Sequence, residues 1–402
     1  MKERFYSLDV FRGATVALMI LVNTPGSWEH IYPPLRHAEW HGLTPTDLVF
    51  PFFLFAVGNA MAFVMPSLQQ KGDANFWGKV LKRTFLIFII GFLLGWFPFV
   101  KWSGGSYVFK PWSFVNGEGV ERGVRFLGVL PRIAICYFFA SILVYYFKWK
   151  GAIVTSAVLL LGYWAICYFG NTADPYGIPD IDKATGWIGT QIDVNILGKA
   201  HIYRDDEITG IEIFFEPEGL LSSIAAIAQV ILGYVIGTVI IKGGNNTKTV
   251  FRLLIIGFIL FAIGSIWGRY FPLNKRIWSS SYTVITSGMG TMIIAALIYV
   301  FELVKLPQVF GKFFDAFGKN PLFIFVLSGA LPRILGLIRI PNGLTEKGIE
   351  KFISPFGWFY ENVCKNIGTD LRLGSFVYAV IMIIFYWVIA YIMDKRKIYV
   401  KV

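Results

Sequence analysis

Three of the chain's four histidines, His30, His37 and His41, fall in one polar stretch that ends in RHAEWHGLTPTD, residues 36–47. Histidine is the side chain whose unperturbed pKa suits proton transfer near neutral pH. His37 is therefore a candidate general base or acyl-accepting nucleophile for transfer to a hydroxyl or amine. The alternative is an interfacial histidine that caps the next helix. His41 lies four residues on and could share a helical face with His37, with Asp47 nearby to orient an imidazole. His37, His41 and the fourth histidine, His201, could bind zinc, but no HExxH or matching carboxylate spacing accompanies them, and no metal is expected. Asn23 ends the preceding apolar run, where its amide could donate to an oxyanion. From the residues alone the favoured role is to end a helix before Thr24-Pro25-Gly26.

Cations give a second set of candidates. Asp9 and Arg12, three apart, share one helical face. Charges at the edge of an apolar segment are costly unless paired or functional. Arg12 is thus either one half of a local ion pair or, with Arg4, a ligand for an anion such as a nucleotide phosphate; Lys82 and Arg83 are further candidates. Arg132, within GVLPRIAICYFF, lies deeper and is either functional or paired with a neighbouring carboxylate. No glycine-rich phosphate loop is present, which argues against P-loop chemistry. Six tryptophans in the expected outer loops (Trp28, Trp40, Trp102, Trp112, Trp187 and Trp278) could stack on sugar rings, although anchoring at a membrane interface explains any one of them as well.

The elements that must position these residues are apolar. The chain has 402 residues, is 55% hydrophobic and only 15% charged, where a soluble domain carries about a quarter charged residues. Residues 84–100, 151–171, 219–241, 277–301 and 373–393 contain no Asp, Glu, Lys or Arg. Runs of this length cross a hydrocarbon core as helices. The expected fold is an all-α polytopic membrane protein with about ten transmembrane helices, at 8–24, 46–66, 79–99, 127–147, 151–169, 220–241, 250–268, 280–303, 320–338 and 374–393. It forms one domain, 1–402, embedded in a lipid bilayer, with a small extracytoplasmic cap, 170–219, built from short strands and turns. GIEIFF reads as a strand.

The net charge of +12 is spread over short loops, which suits a membrane protein's cytoplasmic side and not a nucleic-acid surface. The even span count and the basic start and tail place both termini in the cytoplasm and all four histidines outside. The three cysteines, an odd number, suggest no disulfide framework. No cleavable signal peptide is expected, since Asp9 and Arg12 interrupt the first apolar run.

The segments SLDVFRGATVALMILVN and RHAEWHGLTPTDLVFPFFLFAVGNAM resemble the heparan-alpha-glucosaminide N-acetyltransferase family and its bacterial relatives. The resemblance continues through RGVRFLGVLPRIAICYF, FEPEGLLSSIAAIAQVILGYVIG, FPLNKRIWSSSY and GKNPLFIFVLSG, nearly the whole chain. It implies a transmembrane acyltransferase of the bacterial inner membrane that moves an acetyl group from cytoplasmic acetyl-CoA, as co-substrate, to the amine of a glucosamine-type sugar or glycan on the far side. His37 matches the family's proposed catalytic histidine in its HAxWxGLTxxDL motif, and Asn23 the asparagine that ends its first helix. Arg12 matches the arginine of DxFRG and Arg132 that of GVLxRI. On this reading Arg4, Arg12 and Arg132 would serve the acyl donor, and His41, Lys275 and Trp278 the acceptor. A homodimer is compatible with it.

Two departures stand out. The link from Asn23 to His37 is a few residues longer than in the animal enzyme, and the animal enzyme's lumenal domain is expected to be missing, which leaves the acceptor open. So is the choice between an acetyl-histidine intermediate and direct transfer. The rival readings are an amino-sugar or small-molecule transporter and, more weakly, a zinc hydrolase using His37, His41 and His201.

Overall fold

The computed structural model describes residues 5–103, 105–115, 121–170, 186–205, 213–344, 350–400 and 402. Twelve α-helices are found among them: α1 Tyr6–Asn23, α2 Val49–Lys71, α3 Asp73–Trp96, α4 Val129–Phe169, α5 Ile188–Leu197, α6 Ser223–Gly243, α7 Thr247–Trp267, α8 Ser280–Ile298, α9 Val309–Lys319, α10 Pro321–Leu335, α11 Pro355–Asn362 and α12 Leu371–Lys395. Among the described residues, seven helices are long and apolar enough to cross a membrane: α1, α2 with the turn before it, α4, α6, α7, α8 and α12. The protein is an all-α polytopic membrane protein.

The difference between seven helices and the ten segments expected has physical causes. The 41 residues of α4 break at Lys148, whose φ of 54° is not helical. At 1.5 Å per residue an unbroken helix of that length would run about 60 Å, twice a hydrocarbon core. Its two halves correspond to the segments expected at 127–147 and 151–169. In α3 the first half carries Lys79, Lys82 and Arg83, and α10 is apolar but only 15 residues long. Three short helices, α5, α9 and α11, were not expected from the apolar runs.

Close crossings fix the bundle. A Cβ on Gly58 of α2 would collide with the Val230 carbonyl of α6, and one on Gly13 of α1 with the Phe314 carbonyl of α9. Small residues let apolar helices approach closely where no hydrophobic force drives them together. The face of α8 toward the interior is polar yet satisfied. Thr286, Ser287 and Thr291 donate to carbonyls four residues back at 2.7, 2.8 and 2.7 Å, and Gln229 of α6 donates to Ser287 at 2.9 Å.

Outside the helices, the described residues form four antiparallel two-stranded ribbons: β1 Val100–Ser103 with β2 Ser106–Phe109, β3 Ser113–Val115 with β4 Glu121–Gly123, β5 Arg204–Asp205 with β6 Ile213–Phe214, and β7 Ile340–Leu344 with β8 Glu350–Ile353. Of the expected cap, residues 171–185 and 206–212 lie outside the described residues. The remainder holds α5 and the β5–β6 ribbon, which takes in two residues of the GIEIFF strand.

Candidate active site

The loop from Asn23 to α2 is organised around one carboxylate. Pro45–Leu48 forms a 3-10 turn with a capping box, in which Thr44 and Asp47 satisfy each other's backbone. Oδ2 of Asp47 accepts from the Ala38 N–H at 3.1 Å, the Thr44 N–H at 3.1 Å and the Thr44 hydroxyl at 3.0 Å. Its backbone carbonyl accepts from the Tyr282 hydroxyl at 2.5 Å, which ties the turn to α8. Oδ1 is left to face His37 Nδ1 at 2.7 Å. Asp47 is 1% exposed, whereas the His37 side chain is 41% exposed.

A carboxylate can only accept, so Nδ1 carries the proton in this contact, and in the neutral imidazole the lone pair is on Nε2. Lys275 Nζ approaches Nδ1 at 3.0 Å, Nε2 at 3.5 Å and Asp47 Oδ1 at 3.5 Å. With Nδ1 already donating, the lysine contributes a positive charge beside the imidazole and shares the same carboxylate.

His37 opens onto a cavity of about 390 Å³ whose walls include Asn23, Asp47, Arg125, Glu218, Lys275 and Trp278. Asn23 is the last residue of α1. Thr24 closes the helix, its N–H and hydroxyl both donating to the Ile20 carbonyl at 3.1 and 2.6 Å, and Pro25, which has no N–H, cannot continue it. Five of the candidates thus line one cavity: Asn23, His37, Asp47, Lys275 and Trp278.

Sequence reasoning missed Arg125 and Glu218. Arg125 Nε donates to Glu216 at 2.9 Å, and its Nη2 pairs with both Glu216 and Glu218. Burial alone would raise the Glu218 carboxyl, but the Arg125 charge wins and holds it below the usual range. Burial lowers the Lys275 ammonium, against the pull of Asp47 and Glu218. The motifs RGVRFLGVL and FEPEG contain both missed residues, but nothing in their spacing shows that they meet.

Other candidates fall elsewhere. His41 turns to Asn274, with its Nδ1 3.4 Å from that amide, and His201 Nδ1 to the Val124 carbonyl at 2.8 Å. The His37, His41 and His201 set therefore does not converge. Among the described residues no group of three or more His, Cys, Asp or Glu side chains could hold a metal. His41, expected at the acceptor, is not among the residues that line the His37 cavity.

Arg132, expected at the donor, is fully buried behind the wall. It donates to the Pro217 carbonyl at 2.6 Å, and its guanidinium lies 4.5 Å from the Trp278 ring. It braces the turn that carries Glu218 and the ring that lines the cavity. It stays out of the cavity because Trp278 stacks between them.

A second cavity, of about 380 Å³, is lined by Arg12, Arg83 and Lys319. Arg12 donates to the Gly318 carbonyl at 2.9 Å and pairs with Asp9 at 3.2 Å. Arg4 lies outside the described residues, and Lys82 is not among the lining residues. Phe53, Val129 and Phe325 line both cavities, so the two meet there.

No protein-family model matches the chain. It is 27% identical over 368 residues to heparan-alpha-glucosaminide N-acetyltransferase of Mus musculus, an alignment that covers 81% of this chain and 53% of that protein. With the Homo sapiens protein of the same name the identity is also 27%, over 80% of this chain and 52% of the other. The chain is a distant relative of these N-acetyltransferases. It spans about half the length of the curated relatives it matches.

Proposed function

We propose that the protein is a membrane acetyltransferase that moves the acetyl group of acetyl-CoA to the amine of an amino sugar, with His37 at the reacting centre. The relatives' name supports the reaction class. The observation that carries the assignment of residues is the buried Asp47 carboxylate on His37 Nδ1, which leaves Nε2 as the basic nitrogen at a cavity. A buried acceptor that fixes the imidazole tautomer is the arrangement general-base histidines use.

The acyl donor enters the Arg12, Arg83 and Lys319 cavity, where cations suit its phosphates. Its arm passes the junction at Phe53, Val129 and Phe325, which brings the thioester toward His37. His37 Nε2 takes a proton as the amine nitrogen attacks the acetyl carbon. The Asn23 amide donates to the developing oxyanion. The C–N bond forms, the C–S bond breaks, and the proton on His37 is available to the departing thiolate. The donor face is cytoplasmic and the His37 face extracytoplasmic, with the protein in a bacterial inner membrane and both termini in the cytoplasm.

Purified protein given labelled acetyl-CoA and glucosamine is expected to form N-acetylglucosamine, and His37→Ala to reduce the rate by about a hundredfold or more. If native protein and variant are alike, the enzyme reading fails. The abutting cavities also suit a transporter. Saturable glucosamine uptake into proteoliposomes lacking acetyl-CoA would favour that alternative.

A further inference from the structure

Any amine that takes the acetyl group must lie near His37 Nε2 and face the thioester, and the protein already holds one there. Lys275 Nζ stands 3.5 Å from Nε2. Its side chain, 23% exposed, lines the cavity that His37 and Asn23 also line. Among the described residues of that lining it alone carries a primary amine. The other cations of the wall, Arg125 and Arg276, are guanidiniums, which stay protonated and do not attack carbonyls.

The turn before α8 keeps Lys275 in place. The Asn274 side chain accepts from the Ile277 N–H at 3.1 Å, and the Asn274 N–H donates to the Ser279 hydroxyl at 3.1 Å. The Lys275 carbonyl accepts from the Trp278 N–H at 3.1 Å. Asn274 and Ser279 are fully buried. The backbone is thus fixed, and the four-carbon stem sets where Nζ sits. The ion pair with Asp47 Oδ1 spans 3.5 Å, and that oxygen already accepts from His37. Burial lowers the ammonium's pKa, which raises the share present as free amine. An amine so placed is a nucleophile beside its own base.

We propose that Lys275 is an acetylation site: when the acyl donor is bound and no other amine occupies the cavity, its Nζ takes the acetyl group. The acetyl donor rests on the acetyl-transfer reading. The ammonium first loses one proton to solvent. As Nζ attacks the acetyl carbon, the N–C bond forms and the C–S bond breaks. His37 Nε2 takes the second proton and passes it to the departing thiolate. The product is an amide, which is uncharged and does not give the acetyl group back. It removes the cation beside His37 and Asp47 and fills part of the cavity. An enzyme loaded with donor and starved of acceptor therefore switches itself off.

The test incubates the full chain in lipid nanodiscs with acetyl-CoA labelled in its acetyl group, without amino sugar, and reads its peptides by mass. Lys275 is expected to be acetylated at least about tenfold faster than the exposed Lys199 and Lys351, which report the uncatalysed reaction. His37→Ala is expected to slow labelling of Lys275 about a hundredfold and to leave Lys199 and Lys351 unchanged. Glucosamine acetylation measured afterwards on the native protein should fall in step with the acetylated fraction. Labelling of Lys275 no faster than that of the exposed lysines, or as fast without His37, overturns the proposal. An undiminished rate in fully acetylated protein overturns the switch. If glucosamine is acetylated while Lys275 stays unmodified, this proposal falls and the acetyl-transfer reading stands. If Lys275 is acetylated but glucosamine is not, the site stands and the amino-sugar acceptor falls. If neither is acetylated, the acetyl-transfer reading falls and takes the site with it.

Discussion

Asp47 orders more of the site than its place in the sequence suggests. Its two oxygens divide the work: Oδ2 gathers three donors of the loop, and Oδ1 faces His37. Asp47→Asn tests that division. An asparagine keeps one oxygen for the Ala38 and Thr44 groups, which turns its NH2 toward Nδ1. Nδ1 must then accept, the proton moves to Nε2, and the base points its hydrogen at the substrate. The expected result is a fall in kcat of roughly a hundredfold to ten-thousandfold, the scale seen when a base is held in the wrong tautomer. The KM for acetyl-CoA should be unchanged, because the cations proposed to hold the donor line the other cavity. A comparable loss appearing in KM instead would show that the substitution had collapsed the loop. At this scale, residue type and local order drew attention to His37, Asn23 and Asp47, because an ionisable loop between two apolar runs is unusual. Arg125 and Glu218 stayed hidden because their pairing joins positions 93 residues apart. For Arg132 the sequence left a donor ligand and a structural brace both open, because it does not show that the Trp278 ring lies against the guanidinium.

Long apolar runs make the elements of this fold legible, and polar breaks make their ends legible. The short helices escaped because each mixes polar and apolar residues over only a few turns, so its place depends on what it packs against. Of these, α5 has a measurable consequence. It holds Asp193, fully buried, whose Oδ1 accepts from the Leu220 N–H at 2.8 Å just before α6. Burial pushes this carboxyl up to about 7. In the unfolded chain an aspartate titrates near ~3.9. Between those values the unfolded chain releases a proton that the folded chain keeps. Stability from this group is therefore complete below about pH 4, falls as pH rises toward 7, and changes little beyond. The slope is at most about 1.4 kcal/mol per pH unit. Thermal unfolding is expected to give a lower Tm at pH 8 than at pH 5, and Asp193→Asn, which cannot ionise, is expected to reduce that difference. Glu216, also raised by burial, keeps its own share, so the slope shrinks without vanishing. An undiminished pH dependence in the variant would mean that Asp193 is already ionised in the fold.

Across the whole molecule, the proposed reaction has to bring a charged donor to an acceptor on the other side of an apolar bundle. Ordering the apolar runs was enough to state that problem, since it puts Arg12 in the first half of α1 and His37 beyond its last residue. It could not show the route, because the lining residues Phe53, Val129 and Phe325 come from α2, the start of α4 and α10, which only the packed bundle brings together. The route predicts a separation of binding from transfer. Val129→Trp enlarges a residue common to both cavities while leaving Arg12, Arg83, Lys319, His37 and Asn23 in place. Acetyl-CoA should still bind within about threefold of its native affinity, a change of about 0.7 kcal/mol, because the phosphates are held by the cations. Acetyl transfer should fall about a hundredfold, since a thioester held back by even about 1 Å loses that much reactivity. The two measurements are isothermal binding of acetyl-CoA and the rate of N-acetylglucosamine formation on the same preparation. Transfer at the native rate would show that the donor does not pass Val129. Loss of binding together with transfer would put the cation contacts and the junction in one inseparable site, and the two-cavity account would have to be abandoned.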